Sequence, residues 1–499
     1  MISLPTDVIG LWQKLEQAGS ESWLVGGCVR DALLGRPPHD WDMATAARPE
    51  EIAALLPEFT VVPTGLAFGT VTVLTAERPV EVTSFRGESG SADARHPQHI
   101  MFGLGIADDL ARRDFTVNAL AYAPARGLLD PFQGEKDLAD GVLRAVGEPT
   151  ERLQEDGLRI LRALRFVSRL GLTVEGQLDA ALHRQRQLLQ KISAERLRNE
   201  LMGILAGPAV EAALLSYPDV LAVFIPEISA CVGFDQKSPW HCYDVWEHTV
   251  KAVGAASAED PIVRLTLLFH DLGKPGTFTQ DENGRGHFYL HAKLGAEIAR
   301  QRLAALRFDR HTIDLVADLI THHLGAPNPE DVLRWLRKHG EPKLRQLMAV
   351  KRADMCAHKP DVAAERAVRI DDFLVALDGA LAAEPAFSLA QMKVNGDDLL
   401  RAGYVPGPEL GAELERLLDG IIDGRLANQP AVLLAAAAAD LGHQSDDGPG
   451  AAGAAGAPGP GPGPRPGAPG RSAAGGPRPG APDPGPRPGT PGRGTEGGR

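Results

Sequence analysis

The chain has 499 residues, 43% of them hydrophobic and 23% charged, and a formal net charge of −13. That is too long for one hydrophobic core and has the composition of a soluble globular protein, so several domains are expected, while the acidic surplus excludes indiscriminate coating of nucleic acid, which needs Lys and Arg to neutralise phosphates. There is no basic stretch leading into an apolar one at the N-terminus, no apolar run approaching the ~20 residues of a membrane helix, and no metal-type spacing among Cys28, Cys231, Cys242 and Cys356, so a cytoplasmic protein with reduced thiols and no membrane partner is expected.

Residues 1–140 mix strand and helix signals. Trp23-Leu24-Val25 reads as a short strand ended by Gly26-Gly27, and Val29 to Leu34 as a helix. Thr70–Thr75 and Val80–Phe85 read as strands joined by a turn at Glu77-Arg78-Pro79. Gly87 to Gly105 is long, polar and Gly-rich, the profile of a functional loop. After Glu148-Pro149-Thr150 the periodicity becomes helical and stays so to about Leu441, interrupted at Pro226, Pro239 and Pro261. Between Glu151 and Leu201, ten Lys/Arg face seven Asp/Glu, which makes this stretch the best candidate for a local basic surface. From about Gln444 the chain is almost all Gly, Pro, Ala and Arg, and a disordered tail is expected.

The segment SWLVGGCVRDALLGRPPHDWDMAT carries the strongest chemical signal. Asp40 and Asp42 are two apart, and on an extended strand such residues share a face. Two carboxylates placed that way suit magnesium, and metal pairs ~3.5–4 Å apart clamp the attacking and leaving oxygens of phosphoryl transfer. Gly26 and Gly27, between strand and helix, allow backbone N–H groups to approach a triphosphate, and Arg30 follows one turn later as a phosphate partner. Glu81 reads equally well as a third carboxylate or as a solvated strand residue.

GGCVRDALLGRPPHDWDMAT closely resembles the head signature of the class II tRNA nucleotidyltransferase and bacterial poly(A) polymerase family. The resemblance continues through DDLARRDFTVNALAY (108–122), DPFQGEKDL (130–138), ERLQEDGLRILRALRF (151–166) and ISAERLRNEL (192–201). It implies template-independent addition and repair of the CCA end of tRNA from CTP and ATP, with Mg²⁺ on Asp40 and Asp42. It also implies that Asp156 and Arg159 read the edge of the incoming base and that Arg113 touches the nucleotide. An acceptor-only carboxylate and a donor-only guanidinium three residues apart on a helix suit the edges of C and A and refuse G and U. Arg162 and Arg165 drift round the helix and are expected to reach phosphate or sugar. The 87–105 loop is, by resemblance, the one associated with the switch to ATP.

HCYDVWEHT, LLFHDLGK, HFYLHAKLG, THH and RADM lie between 241 and 354. The ordered set His248, His270, Asp271 and Asp354 resembles the HD metal-dependent phosphohydrolase pattern, and His291 with His322 or His323 is a candidate second metal position. A divalent transition metal and phosphoester hydrolysis are the implied chemistry, with Lys274 meeting a phosphate. Residues 387–430 resemble the C-terminal domain of HD-containing CCA enzymes, implying a grip on tRNA. The expected architecture is α+β. A mixed α/β nucleotidyltransferase head (1–145) precedes an all-α neck (146–235), an HD domain (236–360), a C-terminal helical domain (361–443) and a disordered tail (444–499). The alternatives are a poly(A) polymerase or A-adding enzyme, and a phosphohydrolase with a nucleotide-sensing head.

Overall fold

A computed structural model describes residues 2–66, 69–93, 96–102, 104–383 and 386–446. The chain divides into two compact units, 1–439 and 440–499. Most of the expected tail lies outside the described residues; the last described helix, Pro430–Asp446, runs a few residues past the expected end at Leu441.

The head is built on a seven-stranded mixed sheet. Its strands are β1 (Ser22–Val25), β2 (Asp42–Thr45), β3 (Thr60–Gly65), β4 (Thr70–Leu74), β5 (Pro79–Ser84), β8 (Ala121–Ala123) and β9 (Gly127–Leu129), in the order β3-β4-β5-β2-β1-β8-β9. All of β1 is buried, as a central strand covered on both faces should be, whereas β5 alternates with Val80, Val82 and Ser84 inward. Val8, Leu11, Trp12 and Leu15 of helix Thr6–Gln17 are buried in the same core. β2 and β5 run parallel, in the register Asp42↔Glu81.

Three sequence expectations need correction. The helix expected from Val29 begins two residues earlier, at Gly27, because the chain turns at Gly26. Asp40 is not on a strand: Pro37-Pro38 and a bend precede it, and β2 starts only at Asp42. Proline's fixed φ and missing N–H keep that approach out of the sheet ladder. The expected 87–105 loop is instead largely an antiparallel ribbon, β6 (Arg86–Asp93) paired with β7 (His96–Phe102), in the register Arg86↔Phe102.

Beyond the head the chain is almost all helix. Helices Arg159–Leu170 and Ala194–Leu205 pack together. Helices Val245–Ala255, Pro261–Phe269, Arg310–His322 and Glu341–Cys356 follow and pack on one another. One apolar core continues from the head into this helical region. A second gathers Leu336, Leu344, Met348, Ile370 and Phe373 around helices Glu341–Cys356 and Pro360–Ala382.

Candidate active site

Where β1 ends, Gly26 adopts φ +72°, and a Cβ there would lie 2.6 Å from Nη1 of Arg113. Gly26 donates its own N–H to Leu120 O at 3.0 Å, so that amide is not free for phosphate as the sequence suggested. What Gly26 supplies is the absence of a side chain, which lets the Arg113 guanidinium close over the turn. Arg30, on the helix that follows, donates to Asn118 Oδ1 at 2.6 Å and to Asp31 Oδ1 at 2.8 Å. Asn118 in turn donates to Asp114, which accepts from Arg162 Nε at 2.7 Å. Burial alone would push the Asp114 carboxyl up, but Arg162 and Asn118 outweigh it and hold it below the usual range. This buried relay ties the head to helix Arg159–Leu170.

Asp42 opens β2 directly across from Glu81 on β5. Asp40 stands two residues before it on the bend, its side chain 84% exposed and 3.0 Å from His39 Nδ1. Burial, then the Glu81 carboxylate, raise the Asp42 pKa to about 6; Arg113 opposes this and Asp40 adds to it. Glu81 and Asp40 thus both act on Asp42, and carboxylates are the ligand type that suits a divalent cation such as magnesium.

Asp40 and Asp42, though not Glu81, line a cleft of about 880 Å³ that also takes in Gly26, Gly27, Arg30, Arg113, Arg162, Arg165 and Phe166. The Phe166 ring is flanked by the guanidinium carbons of Arg30, Arg162 and Arg165 at 5.3, 5.8 and 5.9 Å. A second cleft of about 320 Å³ holds Asp156, Arg159 and Arg196, and Arg113 and Arg162 line both. Asp156 is not on a helix face as expected. It sits in extended conformation between helices Pro149–Glu155 and Arg159–Leu170, its Oδ1 accepting the Leu158 N–H at 3.0 Å. A short Asx-type turn competes with helix there, and Gly157 follows, packed so closely that a Cβ would meet Leu188 at 2.9 Å. Arg159, the first residue of the second helix, donates to the carbonyls of Arg152 at 2.8 Å and Arg112 at 3.1 Å.

A second cluster lies among the later helices. His248 Nε2 is 2.9 Å from Asp354 Oδ1 and 3.3 Å from Asp271 Oδ2; His270 Nε2 is 3.2 Å from Asp271 Oδ2. His291 and His323 face Asp271 Oδ1 from 3.5 and 4.0 Å. The Nδ1 atoms of His248, His270, His291 and His323 face the main-chain carbonyls of Ala357, Leu267, Phe288 and Ile320. A carbonyl only accepts, so each Nδ1 carries a proton, and Nε2 is the ring atom that each histidine turns toward the carboxylates. His270 Nε2, His291 Nε2 and both Asp271 carboxylate oxygens are buried without a hydrogen-bond partner; Lys274 Nζ lies 2.6 Å from Oδ2 as an ion pair without hydrogen-bonding geometry. Ring Nε2 atoms and carboxylate oxygens gathered in this way, with main-chain carbonyls fixing the rings, suit a divalent metal. The groups His248-His270-Asp271 and Asp271-His291-His323 share Asp271.

His322 is not part of this set. It joins Asp318 and His339 on the other side of the helix end, where Lys338 Nζ is 2.9 Å from its Nε2 and Lys343 pairs with Asp318. Consecutive residues on a helix differ by ~100° in direction, so only His323 can turn inward. Sequence reading also missed His241 and His358, whose rings lie 5.0 and 5.1 Å from His248, and Asp114 with Asn118 in the head. The available signals were His358 four residues after Asp354 and the Asp/Asn pair four apart in RRDFTVNAL.

Comparison with known proteins shows the family. A CCA-adding enzyme from Levilactobacillus brevis is 34% identical over 425 residues, spanning 85% of this chain and 95% of its own length. The chain belongs to the CCA-adding enzymes. Another member, from Lactobacillus delbrueckii subsp. bulgaricus, is 31% identical over 86% of this chain and 96% of its own. The solved Bacillus stearothermophilus CCA-adding enzyme in complex with CTP superposes with a TM-score of 0.67 at 26% identity, covering 88% of this chain and 98% of that one. Within this CCA-adding enzyme, residues 22–144 match the poly A polymerase head domain, 171–231 the probable RNA and SrmB-binding site of polymerase A, and 241–358 the HD domain. It is thus a nucleotidyltransferase, and both its head and its HD domain imply divalent metal use. No helix among the described residues is long and apolar enough to cross a membrane.

Proposed function

We propose that this enzyme builds and repairs the 3′-terminal CCA of tRNA from CTP and ATP at the head cleft, choosing each base with protein side chains instead of a template. The observation that carries this reading is the placement of Asp40 and Asp42, the latter facing Glu81 across the strand register, in a cleft that shares Arg113 and Arg162 with the Asp156–Arg159 cleft. The tRNA 3′ oxygen bonds to the α-phosphorus of the bound nucleotide as the bond to pyrophosphate breaks. Asp40 and Asp42, with Glu81 beside them, hold Mg²⁺, which when bound there activates the attacking hydroxyl and offsets charge on the phosphates. Arg30, Arg113, Arg162 and Arg165 orient the triphosphate, with Gly26 and Gly27 leaving room for it. Asp156 accepts the N4 amino group of cytosine or the N6 amino group of adenine, while Arg159 donates to the adjacent ring nitrogen. Guanine and uracil present an acceptor where Asp156 needs a donor, and are refused.

Residues 1–145 then form the head, 146–235 the neck that presents the base readers, and 361–443 a helical domain that grips tRNA. The 236–360 HD domain is a second centre, where His248, His270, Asp271 and Asp354 hold a divalent transition metal, His291 and His323 extend the site, and Lys274 meets the phosphate of a phosphoester substrate. The four free cysteines fit a reducing compartment, the cytoplasm.

The test is incubation with tRNA lacking CCA, plus CTP and ATP. Two C and then one A are expected; a run of A supports the polyadenylating alternative, and no incorporation leaves only a hydrolase. Asp40→Ala and Asp42→Ala should each lower incorporation by well over tenfold and leave any HD hydrolysis intact. Rates equal to the parent would defeat the metal assignment.

A further inference from the structure

The arginines around the base-reading cleft are paired with carboxylates. Arg112 and Arg113 meet Asp109, Arg159 meets Glu155, Arg162 meets Asp114, and Arg196 meets Asp156. The last pair differs in kind, because it joins a base-reading carboxylate to a separate helix, Ala194–Leu205. Along one face of that helix, Arg196, Glu200 and Gly203 recur at a spacing of four and three. Arg196 Nη2 donates to Asp156 Oδ2 at 2.7 Å. The buried Glu200 lies 3.3 Å from Arg165 Nε, and a Cβ on Gly203 would meet Arg165 Cδ at 2.6 Å. This face therefore sets both a base reader and a cleft-lining arginine.

We propose that Arg196 is a positioning residue for nucleotide choice. A carboxylate offers two oxygens with about four lone-pair sites. The Leu158 N–H occupies one site on Oδ1 and the Arg196 guanidinium one on Oδ2, 3.0 and 2.7 Å away. Anchored at both oxygens, the group cannot rotate about Cβ–Cγ, so its remaining lone pairs keep one direction, toward the cleft where Arg159 waits. Without Arg196 the carboxylate swings and presents no fixed acceptor, and the preference for an amino-bearing base edge weakens. Arg196 acts through Asp156 and lies outside the lining of the cleft that holds Asp40 and Asp42.

This inference rests on Asp156 reading the base, and the experiment separates the two. Full-length Arg196→Met, Arg196→Lys and Asp156→Ala enzymes are assayed for single-nucleotide addition to tRNA lacking CCA, with each of the four nucleotides alone. Arg196→Met should lower the CTP-over-UTP and ATP-over-GTP ratios of kcat/KM by roughly tenfold or more, and Arg196→Lys should recover part of the loss, since an ammonium restores the charge but not the planar fork. If Asp156→Ala collapses the ratios and Arg196→Met lowers all four nucleotides equally, or none, the positioning role is overturned. If Asp156→Ala leaves the ratios unchanged, the base-reading assignment itself falls. Arg196→Gln, which keeps a neutral donor, applies the same criteria should the Met variant fail to fold.

Discussion

Asp42 is ionised against resistance. Burial and the facing carboxylates of Glu81 and Asp40 bring its pKa to about 6, from an ordinary 3.8. A carboxyl whose folded value is raised favours the folded state while protonated. The penalty of ionising it is absent below about pH 3.8, builds up through the interval and is complete above about pH 6. Asp42→Asn removes that penalty, so at pH 7.5 without divalent ions the variant should be about 2 kcal/mol more stable than the parent while adding no nucleotide. In the parent at limiting magnesium, kcat/KM should fall as pH drops through about 6. Glu81→Gln, by removing the facing negative charge, should move that midpoint lower. Thermal unfolding and pH–rate profiles check both; a midpoint indifferent to Glu81 would refute the electrostatic account. Sequence reading left Glu81 undecided because its partner lies on another strand, and only the parallel register Asp42↔Glu81 brings the two together.

Among the elements, one buried side chain connects the neck to the HD region. Arg264, on helix Pro261–Phe269, is 3% exposed and donates to the carbonyls of Leu205 and Gly207, both at 2.6 Å, and of Ala256 at 2.8 and 3.0 Å. Those carbonyls close helices Ala194–Leu205 and Val245–Ala255, whose last groups have no partner inside their own helix. Arg264→Met should leave them buried and unpaired, costing about 3 kcal/mol in a urea titration. A change below about 0.5 kcal/mol would mean water or a rearranged loop replaces the guanidinium. At this scale the sequence was legible wherever periodicity was strong: β1, β4 and β5 lie within a residue or two of expectation, and the run after residue 148 is mostly helix. It was not legible at Asp156, where an Asx turn interrupts an otherwise helical run, nor in the 87–105 segment, where polar, Gly-rich composition concealed a strand pair.

For the molecule as a whole, the consequence is two metal-suited centres of different chemistry in one chain. The head offers carboxylates only, which suits magnesium, whereas the HD cluster turns imidazole nitrogens onto buried Asp271 and Asp354, which suits a softer ion. In the absence of a metal, burial pushes His270 down, but Asp271 and Asp354 outweigh it and lift its pKa to about 10, so an imidazolium balances the carboxylates. Stripping with a chelator and adding back manganese, nickel or zinc should raise the unfolding temperature by several degrees, through binding to the folded state alone. His270→Ala should abolish that shift while CCA addition in magnesium stays within about twofold of the parent, since the sites are separate. No shift in the parent would remove the HD cluster from the metal-binding sites.

By itself the sequence determined whatever depends on neighbours along the chain. The Asp40/Asp42 spacing, the glycine pair, the His270-Asp271 step, the helical run after residue 148 and the family signature are all local patterns, because backbone periodicity and motif spacing are written residue by residue. Tertiary structure alone decided which distant groups meet: Glu81 opposite Asp42, Asp114 beneath Arg162, Arg196 on Asp156, and His323 rather than His322 at the HD centre. Those choices follow from strand register and from the azimuth of each residue on its packed helix, quantities that exist only once the core has closed.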